Sequence, residues 1–232
     1  MRFCRCEMLI GADALENLKN SSVAVFGVGG VGGYVVEALT RSGVGRIAII
    51  DKDVVDESNI NRQIVALTST IGKNKVDVMK QRMLDINPDV KVEAHCEFYL
   101  PDNADFIELG SFDYVVDAID NVTAKIELIK RCKQADVPII SAMGAGNKLD
   151  PTRIEIADIS KTSVCPLAKV IRRKLADLGI EGVTVAYTRE IPANASGGRT
   201  PASMMPVPAA MGLTMASKVL RDLFGMRIKS KS

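Results

Sequence analysis

Tryptophan is missing from this chain of 232 residues, and aromatic side chains make up only 4% of it. No stacking platform for single-stranded nucleic acid therefore announces itself. Charge of one sign is also scarce: the formal net charge is +2, too small to imply a nucleic-acid partner from composition alone. Five cysteines are present (Cys4, Cys6, Cys96, Cys132, Cys165), with no Cys-x-x-Cys pair among them, which argues against the usual zinc sites. An odd, widely spaced set reads as reduced thiols in a reducing compartment. No uninterrupted apolar run approaches the roughly 18 residues of a membrane helix, and the opening residues carry no secretory signal pattern. A cytoplasmic location without membrane association is expected. The remainder, 47% hydrophobic and 25% charged, has the composition of a soluble globular protein. Its length suits one large α/β domain.

The stretch from Ser22 to Asp51 organises the rest. An apolar run, Val23-Ala24-Val25-Phe26, breaks at once into Gly27-Val28-Gly29-Gly30-Val31-Gly32-Gly33. A helical pattern follows (Val35, Val36, Ala38, Leu39), then a second apolar run, Ile47 to Ile50, that ends on Asp51. Strand, glycine turn, helix, strand and acid form the nucleotide-binding half of a doubly wound sheet. Gly27, Gly29, Gly30 and Gly32 allow a tight turn, after which N–H groups at the helix start can face a phosphate. The Asp51 carboxylate, at the end of the second strand, can accept hydrogen bonds from a ribose diol.

The run that follows, Asp51 to Gln63, is denser in polar residues than an ordinary crossover requires. Asn59, Asn61, Arg62 and Gln63 can all bond phosphate or ribose oxygens, and Asp51 and Asp53 can hold a hydrated magnesium ion. The bland alternative is an ornate loop with its own capping bonds. Lys75 falls in the first turn of the next helix, where the helix dipole disfavours a cation; a ligand charge is expected to compensate it. A third strand is predicted over Val90–Ala94 and a buried fourth over Phe112–Ile119, ending at Asp120-Asn121. Asp51 and Asp120 then share the edge where open parallel sheets bind ligands.

A helix over Thr123–Gln134 and a strand over Val137–Ser141 complete the first half, residues 1–149. Residues 150–232 read as an extension of the same sheet, with strands over Arg153–Ile159 and Val183–Arg189. That half also carries a basic helix over Leu167–Leu178 and a closing helix over Val207–Leu223. The intervening segment, 191–208, is rich in proline, glycine and serine and is expected to be a mobile surface loop. The predicted fold is a single Rossmann-like, doubly wound, mostly parallel sheet extended by partly antiparallel strands. Before it, Leu9, Ala12, Leu15 and Leu18 recur at helical spacing.

Phosphate-cradling glycines, a ribose-binding acid and a cluster of Asn, Arg, Lys and Asp converge on one strand edge. A nicotinamide enzyme would account for the first two and leave Arg62, Lys75 and Asp120 unexplained. A nucleotide attacked at its α-phosphate accounts for all, because cations and a carboxylate-held magnesium ion stabilise the charge that develops there. Adenylation of a carboxylate fits best. Gly27-x-Gly29-Gly30-x-Gly32, Asp51-x-Asp53, Ser58-Asn59-x-Asn61-Arg62-Gln63, Gly72-x-x-Lys75 and Asp117-x-x-Asp120-Asn121 together resemble the ubiquitin-activating-enzyme-like adenylyltransferases. The resemblance implies that Asp51 binds the ribose of ATP, Arg62 and Lys75 its phosphates, and Asp120, with Asp53 beside it, the magnesium. Arg2-Phe3-x-Arg5 is similar to a family motif in which the second arginine reaches the ATP of the opposite protomer. That implies a homodimer with Arg5 acting in trans.

Within the superfamily, Thr162-x-x-Cys165-Pro166-Leu167-Ala168, Tyr187-Thr188-Arg189-Glu190-x-Pro192 and the Ser203 to Gly212 segment resemble the tRNA threonylcarbamoyladenosine dehydratases. The activity this implies is adenylation of the threonyl carboxylate of the modified tRNA base, followed by ring closure that expels AMP. Lys169, Arg172 and Arg173 lie on one helix face, with Lys174 alongside; together with Arg199, Arg227, Lys229 and Lys231 they are candidates for holding the tRNA. Cys165 stands where those enzymes are expected to carry aspartate, so no aspartate role transfers there. The alternative is an adenylyltransferase that activates the C-terminal glycine of a ubiquitin-like sulfur carrier, with Cys165 as acceptor. A monovalent cation and a sulfur-transfer accessory protein complete the set of candidate cofactors and partners.

Overall fold

The structure, a computed structural model, describes residues 2–193 and 201–225. Two short helices, α1 (Cys4–Ile10) and α2 (Ala12–Asn20), are separated by Gly11, whose φ of 88° interrupts the helical path. Then come β1 (Ser22–Phe26), α3 (Gly32–Arg41), β2 (Arg46–Ile50), α4 (Lys75–Ile86) and β3 (Lys91–His95). The second βαβ arm holds β4 (Tyr114–Asp117), α5 (Val122–Gln134) and β5 (Ile139–Ala142). The extension adds β6 (Ile154–Asp158), α6 (Pro166–Asp177), β7 (Thr184–Thr188) and α7 (Pro206–Leu223).

All seven strands form one sheet in the order β3-β2-β1-β4-β5-β7-β6, parallel except for the antiparallel β6–β7 pair. The strands alternate between two cores, as the two-residue period of a strand requires. Val23, Val25, Ile47 and Ile49 pack on one face with Leu39 of α3, Met79 and Met83 of α4, and Met211 and Met215 of α7. Ala24, Phe26, Ala48 and Ile50 face the other way, toward Leu128 and Ile129 of α5 and Ile171 and Leu175 of α6. Burial of each such aliphatic side chain contributes about 1.5–3 kcal/mol, so both faces stabilise the sheet.

Strand order reverses between β1 and β4, and the register is flush there. Phe26 pairs with Ile50 on one side and with Asp117 on the other, and Asp117 pairs with Ser141. The glycine turn, Asp51 and the segment after Asp117 therefore leave the sheet at one level, bordering the crevice where open α/β sheets bind ligands.

The expected architecture is borne out, including the extension of the same sheet beyond residue 150. Strand ends differ by a residue or two, and one boundary needs correcting. The loop expected over 191–208 ends earlier, because α7 begins at Pro206, where proline suits a first helical turn, and Val207 and Pro208 are buried. Residues 194–200, and with them Arg199, lie outside the described residues, as do Arg227, Lys229 and Lys231 of the tail.

Candidate active site

The turn after β1 is shaped by close backbone approach. Gly27 adopts a φ of 89°, and a Cβ there would stand 2.7 Å from the Ala118 carbonyl oxygen. At Gly32 a Cβ would lie 1.8 Å from the Gly27 carbonyl oxygen, so only glycine closes the turn. Helix α3 starts without a side-chain cap. Among the described residues, the N–H groups of Gly29, Gly30, Val31 and Gly32 have no hydrogen-bond acceptor. Unsatisfied donors at a helix start, with the positive end of the helix dipole behind them, suit a phosphate.

Asp51 fixes this turn from below. Its carboxylate accepts the Val28 N–H at 2.7 Å and the Asp53 N–H at 2.9 Å. Lys75 Nζ donates to Asp53 at 2.9 Å and Lys52 to the same carboxylate at 3.1 Å. Burial alone would raise the Asp53 carboxyl; the bonds from Lys75 and then Lys52 outweigh it and hold the group below the usual carboxylate range. Within the protein, the charge that faces the buried Lys75 is the Asp53 carboxylate. A carboxylate already shared by two ammonium groups is a poorer metal ligand than a free one. Asp120 is such a free carboxylate: it is exposed and makes no hydrogen bond among the described residues. It lies within electrostatic reach of Lys52, whose pKa it helps to raise after Asp53 and Asp51.

Arg62 passes over the glycine turn, its Cγ 3.5 Å from the Cβ position of Gly30, while Nη1 donates to the Ser58 carbonyl at 2.7 Å and to Asn61 at 2.9 Å. Gln63 is buried beside it. Its Nε2 is 3.8 Å from the Cβ position of Gly29, and its Oε1 has no hydrogen-bond partner among the described residues. A buried acceptor without a donor is costly, so Gln63 fits a site completed by a polar ligand. With the free turn amides, Arg62 and Lys75, the residues present fit a nucleoside triphosphate, and Asp120 fits its accompanying metal ion.

Other sequence candidates have local duties. Asn59 accepts the Asp56 N–H at 3.2 Å, closing a capping box around the short helix 57–59. Asn121 caps α5, accepting the Ala124 N–H at 3.0 Å. Asn61 donates to the Ser203 carbonyl at 2.8 Å, and Pro208 reaches within 3.4 Å of the Cβ position of Gly30, so the second half borders the nucleotide crevice. Arg5 is not brought to this site. Around it Arg2 bonds the Ile86 carbonyl and Cys6 the Arg41 carbonyl, at the ends of α4 and α3 remote from Lys75 and Gly32.

On α6, Lys169 and Arg173 are exposed, but Arg172 donates to the Thr162 carbonyl and hydroxyl at 2.9 and 2.7 Å. The expected basic face is therefore smaller than the spacing suggests, because Arg172 ties the helix to the preceding turn. Cys165 is 3% exposed and packs 3.5 Å from the Cβ position of Gly144. A thiol enclosed in this way is closed to the C-terminus of a carrier protein.

Sequence reasoning missed Lys125. It lies in the apolar stripe of α5 with Ala124, Leu128, Ile129 and Cys132, and a lysine in such a stripe was the available signal. Lys125 is fully buried and donates to Asp117 at 2.9 Å and to Ser141 at 3.3 Å.

A Rossmann-like sheet with Arg62 over its glycine turn, Lys75 buried against Asp53 and Asp120 exposed after β4 defines a nucleotide-dependent adenylating protein, and the chain belongs to the ThiF family, which matches residues 3–232. Over 240 aligned residues it is 49% identical to tRNA threonylcarbamoyladenosine dehydratase of Bacillus subtilis, covering 96% of this chain and 94% of that one. It superposes with a TM-score of 0.91 and 35% identity on E. coli tRNA N6-threonylcarbamoyladenosine dehydratase, TcdA, in complex with ATP, covering 97% of this chain and 94% of that chain. The similarity to a sulfur carrier protein adenylyltransferase of Thermus thermophilus, 40% identity over 112 residues, covers 48% of this chain and 41% of that protein.

Proposed function

We propose that this protein is an ATP-dependent dehydratase that cyclises threonylcarbamoyladenosine in tRNA. The observation that carries the substrate is the extent of the similarity: it covers 96% of this chain and so includes most of the half after residue 150, whereas the likeness to the Thermus thermophilus carrier-activating enzyme covers 48%. The carboxylate of the threonylcarbamoyl group attacks the α-phosphorus of ATP, the bond to the β-phosphate oxygen breaks, and pyrophosphate leaves. A nucleophile of the same group then closes on the acyl carbon, releasing its proton to solvent as the acyl–oxygen bond to the AMP phosphate breaks and AMP leaves; its tethering supplies a high effective concentration, so no covalent enzyme intermediate is required.

The glycine-turn amides orient the phosphates, Arg62 and Lys75 offset the charge that grows on the pentavalent phosphorus and the departing pyrophosphate, and Asp51 holds the turn and faces the ribose. Asp120 would hold a magnesium ion, which supplies further charge neutralisation at the phosphates. The protein works as a homodimer in which Arg5 serves the partner's site, because in its own chain it lies at the far ends of α3 and α4. A monovalent cation at the nucleotide and a sulfur-transfer accessory protein belong to the same reading, as does a cytoplasmic location; among the described residues no helix is long and apolar enough to cross a membrane.

The test is mass spectrometry of nucleosides from tRNA incubated with the protein, ATP and magnesium. Loss of one water from threonylcarbamoyladenosine, with AMP and pyrophosphate formed in step, is expected. Pyrophosphate exchange that requires a carrier protein's C-terminal glycine and ignores tRNA would overturn this reading.

A further inference from the structure

A lysine and an aspartate that are both fully buried meet directly beneath the candidate site. Asp117, the last residue of β4, accepts Lys125 Nζ at 2.9 Å and the Ser141 hydroxyl at 2.5 Å on one oxygen, and the Ile119 N–H at 3.0 Å on the other. Ala118 and Ile119 press against the glycine turn, where the Cβ position of Gly27 is 2.7 Å from the Ala118 carbonyl oxygen. At the far end of the same turn the Lys125 N–H donates to the Asn121 carbonyl at 3.0 Å. The Lys125 ammonium therefore anchors the start of the turn 117–121 at Asp117, while the first helical bond of α5 holds its end at Asn121. Asp120 lies between those two anchors.

A buried ion pair gives little or no net stability over apolar side chains of the same volume, because desolvation offsets the attraction. Such a pair does hold geometry, and the geometry here is that of the turn carrying Asp120, whose carboxylate makes no hydrogen bond among the described residues.

We propose that Lys125 is a positioning residue for the adenylation step, holding the turn 117–121 so that the Asp120 carboxylate meets the metal ion on the nucleotide. This rests on the assignment of Asp120 to magnesium. Residues that orient a metal ligand typically change affinity or rate by about 10–100-fold when removed.

The experiment is a double-mutant cycle on the full-length protein with tRNA substrate, comparing Lys125→Met, Asp120→Asn and the double variant. AMP formation is followed against magnesium concentration at saturating ATP, and the magnesium dependence of ATP binding is titrated by calorimetry without tRNA, where Lys125→Met is expected to raise the same midpoint. Lys125→Met is expected to raise the magnesium midpoint and lower kcat by about 10–100-fold. The double variant should be no worse than Asp120→Asn alone, since residues acting as one unit are not additive. Lys125→Gln, which keeps a donor for Asp117, enters the same cycle should the methionine variant fail to fold. A magnesium midpoint equal to the parent's, or additive losses across the cycle, overturns the proposal and returns Lys125 to a purely structural role. If Asp120→Asn itself leaves the magnesium midpoint unchanged, the assignment of Asp120 fails first and takes the proposal with it.

Discussion

An alanine at Gly32 would place its Cβ 1.8 Å from the Gly27 carbonyl oxygen, whereas one at Gly30 would meet the side chains of Pro208 and Arg62 at 3.4 and 3.5 Å. The first contact is with backbone and cannot yield; the second is near ordinary van der Waals distance. Gly32→Ala should destabilise by about 1–3 kcal/mol or more through overpacking, and Gly30→Ala far less. Denaturant midpoints and calorimetric ATP titration check this, with ATP affinity lost in the Gly32 variant. At Asp53 the prediction concerns pH. Its carboxyl is held below the usual range, so the pairing with Lys75 is intact above the unfolded-state value of about 4 and is lost as pH falls through the lower folded-state value. Asp53→Asn should leave the protein less stable at neutral pH and remove part of the acid-induced loss. Equal stability profiles for parent and variant between neutral pH and the acid range would contradict that. The side chain of Asp53 is about half exposed, so solvent screening keeps the effect small.

At the scale of the element, α6 shows how one basic helix divides its cations between duties. Arg172 bonds both the carbonyl and the hydroxyl of the buried Thr162, and hydrogen bonds to charged groups are worth about 1.5–3 kcal/mol. Arg172→Ala should lower the melting temperature. Lys169 and Arg173 are exposed, and their double alanine variant should fold normally. If they contact tRNA phosphates, the slope of log affinity against log salt should fall by roughly 0.9 for each contact in duplex regions. An unchanged salt slope in Lys169→Ala/Arg173→Ala would make this face plain surface. Spacing alone joined Arg172 to its neighbours because period 3.6 places all three on one side of a helix. It could not show that the Thr162 turn folds back under the middle one.

For the whole molecule the decisive question is where Arg5 works. Helix α3 rises about 15 Å over its length, and α1 is held near its far end through Cys6 and Arg41. An arginine placed there serves its own nucleotide poorly, which is the physical argument for a site completed by a second copy. Arg5→Ala and Lys75→Ala proteins should each be inactive alone. After mixing and subunit exchange, random two-fold pairing should restore roughly a quarter of parental activity, one intact site in each mixed dimer. No recovery, with dimer exchange verified by native mass spectrometry, would remove Arg5 from the reaction.

Local patterns were enough to read the fold class, because strand and helix periods and the glycine turn are written in consecutive residues. Val23 to Phe26, the glycines after them and Asp51 announce β1, its turn and the end of β2 without reference to anything distant. The sequence by itself also led to the expectation that Arg62, Lys75 and Asp120 share one edge, since open parallel sheets bind ligands outside the C-terminal strand ends. Charge partnership was beyond it. That Asp53 answers Lys75, that Arg172 answers Thr162 and that Lys125 answers Asp117 are decisions of packing between segments far apart in the chain. Only the tertiary structure settles which polar groups meet when they leave water, and a buried charge takes whichever partner the fold places within bonding distance.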